Sequence, residues 1–101
     1  MAIQALDKSN DDAKISYILH NMGNLETGCG RYEEAMEYYA KAAQLRVAQG
    51  DRAASQLALS YLCIGRLYHF QGKYNEASKM LASSEALFVR TSSADTHFMA
   101  L

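Results

Sequence analysis

The sequence predicts an all-α protein built from antiparallel helical hairpins, and three observations support this prediction. The 101 residues include no proline, and the stretches between the glycines are rich in residues that favour helix. No segment keeps the alternation of apolar and polar residues that is typical of a half-buried strand. Shifting the chain by 42 residues matches it to itself at nine identical positions, which indicates two copies of one unit, 9–50 and 51–92.

The first copy is predicted to form a helical hairpin. Asn10 or Asp11 can cap the first helix, and Gly28 and Gly30 can end it. Apolar residues at spacings of three and four predict one stripe of this helix that faces a core: Ile15, Ile18, Leu19, Met22 and Leu25. The second helix is expected from about Tyr32 to Gln49, before Gly50, with these residues inward: Ala35, Met36, Tyr39, Ala42, Ala43 and Leu45.

The second copy repeats this plan. Its first helix is expected over about Arg52 to Gln71, a turn at Gly72, and its second helix over about Tyr74 to Arg90. The first helix includes the apolar residues Leu59, Leu62, Leu67 and Phe70. Small residues in both copies predict the points where paired helices approach closely, with a tyrosine filling each neighbouring gap: Gly23, Ala35 and Tyr32, then Gly65, Ala77 and Tyr74.

Composition and charge argue against several classes of partner. Ten basic residues are balanced by 11 acidic ones and form no basic patch, so nucleic acid is not an expected partner. The most apolar stretch, 57–65, is far shorter than the roughly 20 residues of a membrane span. Residues 1–8 do not resemble an export signal. Cys29 and Cys63 are therefore expected to be reduced thiols in a cytoplasmic protein.

Catalytic and metal-binding patterns receive little support from the sequence. His20, His69 and His97 are far apart and share no short spacing with cysteines or acids, so neither a metal site nor a cofactor is expected. Cys63 is interpreted as a structural thiol within an apolar helix stripe. The glycines at 28 and 30 lack the strand and the Gly-Lys pair of a phosphate-binding loop. We therefore do not expect this chain to be an enzyme.

Both copies resemble the tetratricopeptide repeat. In the first copy the resemblance rests on Leu19, Met22, Gly23, Gly30, Tyr32, Ala35, Tyr39 and Ala42. In the second it rests on Tyr61, Ile64, Gly65, Tyr68, Gly72, Tyr74, Ala77 and Leu81. Glu26 and Ser84 depart from the usual pattern. The 42-residue period resembles the long-helix variety found in kinesin light chains and signalling receptors. The resemblance implies a short right-handed α-solenoid that binds a protein or peptide.

The resemblance also implies a groove lined by the first helix of each copy. The matching residues are Tyr17, His20, Asn24, Thr27, Leu59, Leu62, Arg66, His69 and Phe70. Asn24 and Arg66 could hydrogen-bond a carboxylate or carbonyl of a peptide, and the apolar members could cover an apolar side chain. The alternative is that these are ordinary solvated residues or packing residues between repeats.

The two ends continue the 42-residue register. Residues 1–8 match the end of a second helix, and residues 93–101 match the start of a third repeat. We therefore expect a segment of a longer array, with simple frayed ends as the alternative. Since two repeats bury less surface than a stable solenoid needs, their terminal faces are expected to pair between chains. The function predicted is an interaction scaffold, and the alternative is a self-associating oligomerisation or sensor module of a signalling receptor.

Overall fold

The computed structural model describes the backbone of residues 2–100 and the side chains of residues 11–91. Over that range the chain forms α1 (Ala2–Gly28), α2 (Tyr32–Ala48), α3 (Ala54–Phe70) and α4 (Tyr74–Ala100). A short 3-10 helix, Gly50–Ala53, precedes α3. The described residues contain no strand, which confirms the all-α prediction. The helices pair as two hairpins, α1 with α2 and α3 with α4, and α2 packs against α3.

The two hairpin turns have the same geometry at equivalent positions. Gly30 and Gly72 adopt φ angles of 79° and 78°, in the left-handed region that glycine enters without steric strain. After α1, the amide of Arg31 donates to Glu26 O at 2.8 Å, and after α3 the amide of Lys73 donates to Tyr68 O at 2.8 Å. This pattern is the Schellman ending, which satisfies carbonyls left without a partner at a helix end.

Two helices are longer than the sequence predicts. Helix α1 is continuous from Ala2, so Asn10 and Asp11 lie within it and not at its start, and 2–8 belongs to the same helix. Helix α4 continues from Tyr74 to Ala100, so 93–100 extends the second helix instead of starting a new one. The physical reason is the absence of glycine and proline from these stretches, which leaves no residue that favours ending the helix.

Glycine allows the helices of each hairpin to approach closely. A Cβ on Gly23 would lie 2.6 Å from Cε1 of Tyr39, and a Cβ on Gly65 would lie 2.9 Å from Cδ2 of Leu81. Both distances are too short for packed carbon atoms, so the glycines make room for a large side chain of the partner helix. The main core lies beside the first of these contacts and comprises Ala35, Tyr39, Ala43, Ile64 and Leu67.

The predicted inward stripe of α1 is wrong for most of its members. Ile15, Ile18, Met22 and Leu25 are exposed, and Leu19 is half-buried. The face that packs on α2 instead carries Ser16, His20 and Gly23. Periodicity identifies an apolar stripe but cannot say which neighbour covers it, and within the described chain the main partner of α1 is α2.

The other predicted faces agree better with the structure. On α2, the predicted inward residues are buried or half-buried. Tyr32 is half-buried, whereas Tyr74 is largely exposed and does not fill the gap between helices that the sequence predicts for it.

None of the helices, over the residues that are described, combines the length and apolar character needed to cross a membrane.

Candidate functional site

A cavity with a volume of about 640 Å³ lies at the turn ends of α1 and α3; we call it the α1–α3 cavity. Six of the nine predicted groove residues border it: Asn24, Thr27, Leu62, Arg66, His69 and Phe70. Four further residues complete the wall: Tyr39, Cys63, Leu67 and Leu81. Helical spacing alone places residues 24 and 27 one turn apart, and the packing of α3 beside α2 brings them opposite residues 62–70.

The remaining three predicted groove residues lie elsewhere. Tyr17 is exposed near the middle of α1 and borders two smaller cavities. Leu59 is partly exposed on α3 but does not border the α1–α3 cavity. His20 is buried between helices and contacts Tyr39 at a ring-centroid distance of 5.2 Å, so it faces the packed interior of the hairpin.

Tyr39 fixes the polar wall of the α1–α3 cavity. Its hydroxyl donates to Oδ1 of Asn24 at 2.6 Å and lies 3.3 Å from Oγ1 of Thr27. The Thr27 hydroxyl in turn donates to the carbonyl of Gly23 at 2.8 Å. Burial raises the pKa of Tyr39 above its ordinary value, so the phenol stays neutral and keeps its proton for Asn24. The Asn24 carboxamide is therefore held in one orientation at the cavity wall.

The cavity mouth near the turns is aromatic. Phe70 stacks on Tyr32 with ring centroids 5.6 Å apart and an interplanar angle of 28°. His69 lies edge-on to Phe70 and to Tyr74. Arg66, one turn before Phe70 on the same helix, is exposed and makes no ion pair with a described carboxylate. Aromatic rings beside a free guanidinium are a surface chemistry enriched where proteins bind proteins.

The fold brings together one pair that the sequence does not predict. Sγ of Cys63 lies 3.9 Å from Nε2 of His20, although 43 residues separate them. Burial, with a smaller contribution from the charge of Arg46, lowers the pKa of His20 below its ordinary value. Burial raises the pKa of the Cys63 thiol, against smaller opposing effects of Tyr39, Arg66 and Arg46. Both shifts favour the neutral forms, whereas nucleophilic catalysis by cysteine needs a thiolate.

Metal ligands are not gathered in the described part of the chain, where no group of three or more His, Cys, Asp or Glu side chains comes together. His97 lies outside the residues whose side chains are described.

Tyr39 is a cavity residue that the sequence analysis did not predict, because apolar periodicity assigned it to the core. Its hydroxyl was the available signal, since a buried tyrosine needs a hydrogen-bond partner.

Comparison with known proteins agrees with this geometry. No curated protein and no solved structure matches the chain at a significant level. A family model does match, that of the tetratricopeptide repeat, over residues 14–88. This range covers α2, α3, the adjoining parts of α1 and α4, both Schellman turns and the two glycine contacts described above. The chain therefore belongs to the tetratricopeptide repeat family.

Proposed function

We propose that this chain is a protein-interaction module that binds an extended segment of a protein or peptide in the α1–α3 cavity. Members of the tetratricopeptide repeat family generally mediate protein–protein interactions. The observation that supports binding of a segment at this particular place is the α1–α3 cavity itself. Its volume of about 640 Å³ lies within the range of sites that hold a ligand, and it joins apolar walls to a few polar groups.

The walls indicate the chemistry of the bound segment. Leu62, Phe70 and Leu81 provide the apolar surface that would cover one large apolar side chain. Arg66 provides a guanidinium for a carboxylate of the segment, either an acidic side chain or a C-terminus. The Asn24 carboxamide, oriented by Tyr39, can hydrogen-bond the segment's backbone. We propose a segment with an apolar residue close to a carboxylate.

Peptide selection followed by mutation tests this proposal. Random twelve-residue peptides displayed on phage would be selected on the immobilised chain, and enriched sequences synthesised with a fluorescent label for anisotropy titration. Arg66→Ala and Phe70→Ala are the test variants, since both side chains are exposed and their loss leaves the core intact. Each should weaken binding about tenfold, as expected for a charged hydrogen bond or an aromatic anchor at an interface.

Arg31→Ala is the matched control for Arg66→Ala. Arg31 is also exposed but does not border the α1–α3 cavity. Its substitution should leave peptide affinity within about twofold of the parent chain. Failure to enrich any peptide, or enriched peptides that bind both test variants as tightly as the parent, would contradict the proposal.

A second candidate function, self-association, is supported by the exposed apolar stripe of α1. Ile15, Ile18, Met22 and Leu25 lie three or four residues apart along that helix, and Leu25 is 69% exposed. A stripe of this kind is the face that stacked helical repeats cover, so a second chain can bury it. We include in this candidate the role of an oligomerisation or sensor module in a cytoplasmic signalling receptor.

Light scattering coupled to size-exclusion chromatography distinguishes the two candidates. Self-association predicts a mass above one chain that falls on dilution and returns to one chain in the double variant Ile18→Asp, Leu25→Asp. Glu33→Ala, a change at an exposed residue of α2, is the control. A mass of one chain for the parent protein over a hundredfold concentration range would contradict self-association.

A further inference from the structure

A second cavity, of about 260 Å³, lies beside the middle of α1 and the start of α3, away from the α1–α3 cavity; we call it the Arg46 cavity. Segments from four elements border it: α1, the end of α2, the 3-10 helix and the start of α3. Its polar lining residues are Ser16, Tyr17, Arg46, Gln49, Arg52 and Gln56. Two of its lining residues are cationic and none is acidic, so the lining carries a formal charge of +2.

Arg46 is the buried member of this lining, with only 3% of its surface exposed. Its Nη1 donates to Oγ of Ser60 at 2.7 Å and to the carbonyl of Gln56 at 2.9 Å, and lies 3.4 Å from Nδ1 of His20. All three partners are neutral. Its Nε is buried with no hydrogen-bond partner, and so is Nε2 of Gln49.

No described group compensates the charge of Arg46. The side chains described include no carboxylate in an ion pair with Arg46 or Arg52. Asp51, next to Arg52 in the sequence, instead lies 3.5 Å from Nη2 of Arg90. His20 and Cys63 also face Arg46. Burial lowers the pKa of His20 and raises the pKa of Cys63, and both shifts favour the neutral form, so neither side chain supplies a negative charge. A buried cation without a counterion is unfavourable, and an anion bound beside it would relieve that cost.

We propose that the Arg46 cavity binds a single phosphate group. The donors that would hold it are Nε of Arg46, Nε2 of Gln49 and the guanidinium of Arg52. Arg46 is held in place by its bonds to α3, whereas Arg52 is exposed and can close over the anion. The cavity has room for one phosphate with a short stem, and the group can come from free phosphate or from a phosphorylated serine of a partner protein. This site is independent of the α1–α3 cavity.

Titration with inorganic phosphate tests the proposal. The full chain, labelled with nitrogen-15, would be titrated with potassium phosphate at constant ionic strength, with potassium chloride as the compensating salt. We expect saturable shifts of the Gln49 side-chain amide and of the backbone amides of 49–53. Arg52→Gln removes an exposed donor without disturbing the core and should weaken phosphate binding about tenfold. Arg31→Gln changes an exposed arginine that does not border the Arg46 cavity, and it should leave the phosphate affinity unchanged.

A second arm distinguishes the two sources of phosphate. The peptide Ala-Ala-phosphoserine-Ala-Ala would be compared with its unphosphorylated form and with inorganic phosphate. If the phosphopeptide binds more tightly than phosphate and the serine peptide does not bind, the site takes a phosphorylated side chain. If inorganic phosphate binds as tightly or more tightly, the site takes the free anion. Both results support a phosphate site.

Shifts that grow linearly without saturation, or an affinity that Arg52→Gln leaves unchanged, would overturn the proposal and leave Arg46 a purely structural residue. Thermal stability provides a check that does not depend on the shifts. Phosphate should raise the melting temperature of the parent chain above its value in chloride, because a ligand that binds only the folded state stabilises it. The gain should fall in Arg52→Gln, and an equal gain in both proteins would also count against the site.

Discussion

Arg46 and Phe88 occupy equivalent positions of the two repeats, 42 residues apart on α2 and α4, yet their environments are the reverse of what their side chains favour. Arg46 is 3% exposed, whereas Phe88 is 37% exposed. Helix α2 packs between α1 and α3, while the main described partner of α4 is α3 alone. Position in the stack therefore decides burial at this site, and residue type does not.

The glycine contacts show the same asymmetry in a second pair of positions. Tyr39 and Leu81 are equivalent residues, and each lies against the glycine of the preceding helix. The Tyr39 ring is buried and hydrogen-bonded to Asn24, but Leu81 is 37% exposed. The same repeat unit thus gives a rigid contact between α1 and α2 and a deformable one between α3 and α4.

The largest expected effect is the loss of the buried arginine. Arg46→Ala should lower the free energy of unfolding by about 3 kcal/mol. The substitution leaves a cavity and removes the guanidinium that donates hydrogen bonds to Ser60 Oγ and to the carbonyl of Gln56. Phe88→Ala should lower it by about 1 kcal/mol or less, since that ring is only partly buried. Urea unfolding followed by circular dichroism measures both. Arg46→Met, which keeps most of the volume without the charge, should recover part of the loss.

Equal losses for Arg46→Ala and Phe88→Ala would contradict the difference in burial between α2 and α4. They would mean that α4 is covered as fully as α2 in solution. Dilution of the Phe88→Ala protein provides the control. A loss that depends on protein concentration would locate the missing cover in a second chain.

The next effect separates the two glycines. Gly23→Ala places a Cβ against the rigid ring of Tyr39 and should lower the free energy of unfolding by about 2 kcal/mol, despite the helix propensity of alanine. Gly65→Ala meets the flexible, partly exposed Leu81, which can move, and should change stability by less than about 1 kcal/mol. Urea unfolding of the two variants checks the difference, and a larger loss for Gly65→Ala would contradict it.

A smaller effect is expected from the tyrosine hydroxyl. Tyr39→Phe keeps the ring against Gly23 but removes the hydrogen bond to Asn24, so stability should fall by about 1 kcal/mol. Leu81 has no polar group at the equivalent position, and Leu81→Met should be nearly neutral as a matched control. The two values come from the same urea experiment. No loss in Tyr39→Phe would show that the hydroxyl is solvated in solution.

The smallest effect concerns pH. Burial and Arg46 lower the pKa of His20, so the native state binds a proton less readily than the unfolded state. Stability should therefore be full above the unfolded pKa of about 6.5 and decline as the pH falls below it. The urea midpoint measured between about pH 8 and pH 5.5 tests this. Leu62, at the equivalent position of the second repeat, does not titrate, and His20→Gln likewise removes the titrating group from the first. The urea midpoint of His20→Gln should therefore depend less on pH, and identical pH profiles for the parent and the variant would contradict the prediction.

Much of the fold could be predicted from local sequence. The helices, the turns at Gly30 and Gly72 and the repeat itself follow from propensity and self-similarity, because both depend on neighbouring residues. The exposed stripe of α1 could not be predicted, since a helix carries no mark of which neighbour will cover it. Six of the groove residues meet at one cavity, but His20 is buried because it lies on the face of α1 that packs against Tyr39 of α2.

Local sequence patterns are enough to predict the hairpin unit, its period of 42 residues and the glycines that let its helices approach. These are properties of backbone conformation and of short spacings along one chain. The burial of Arg46, the contact of Cys63 with His20 and the cavity lined by two arginines arise from the packing of the helices. The physical reason is that burial and charge compensation depend on contacts between helices distant in sequence, which repeat matching cannot distinguish.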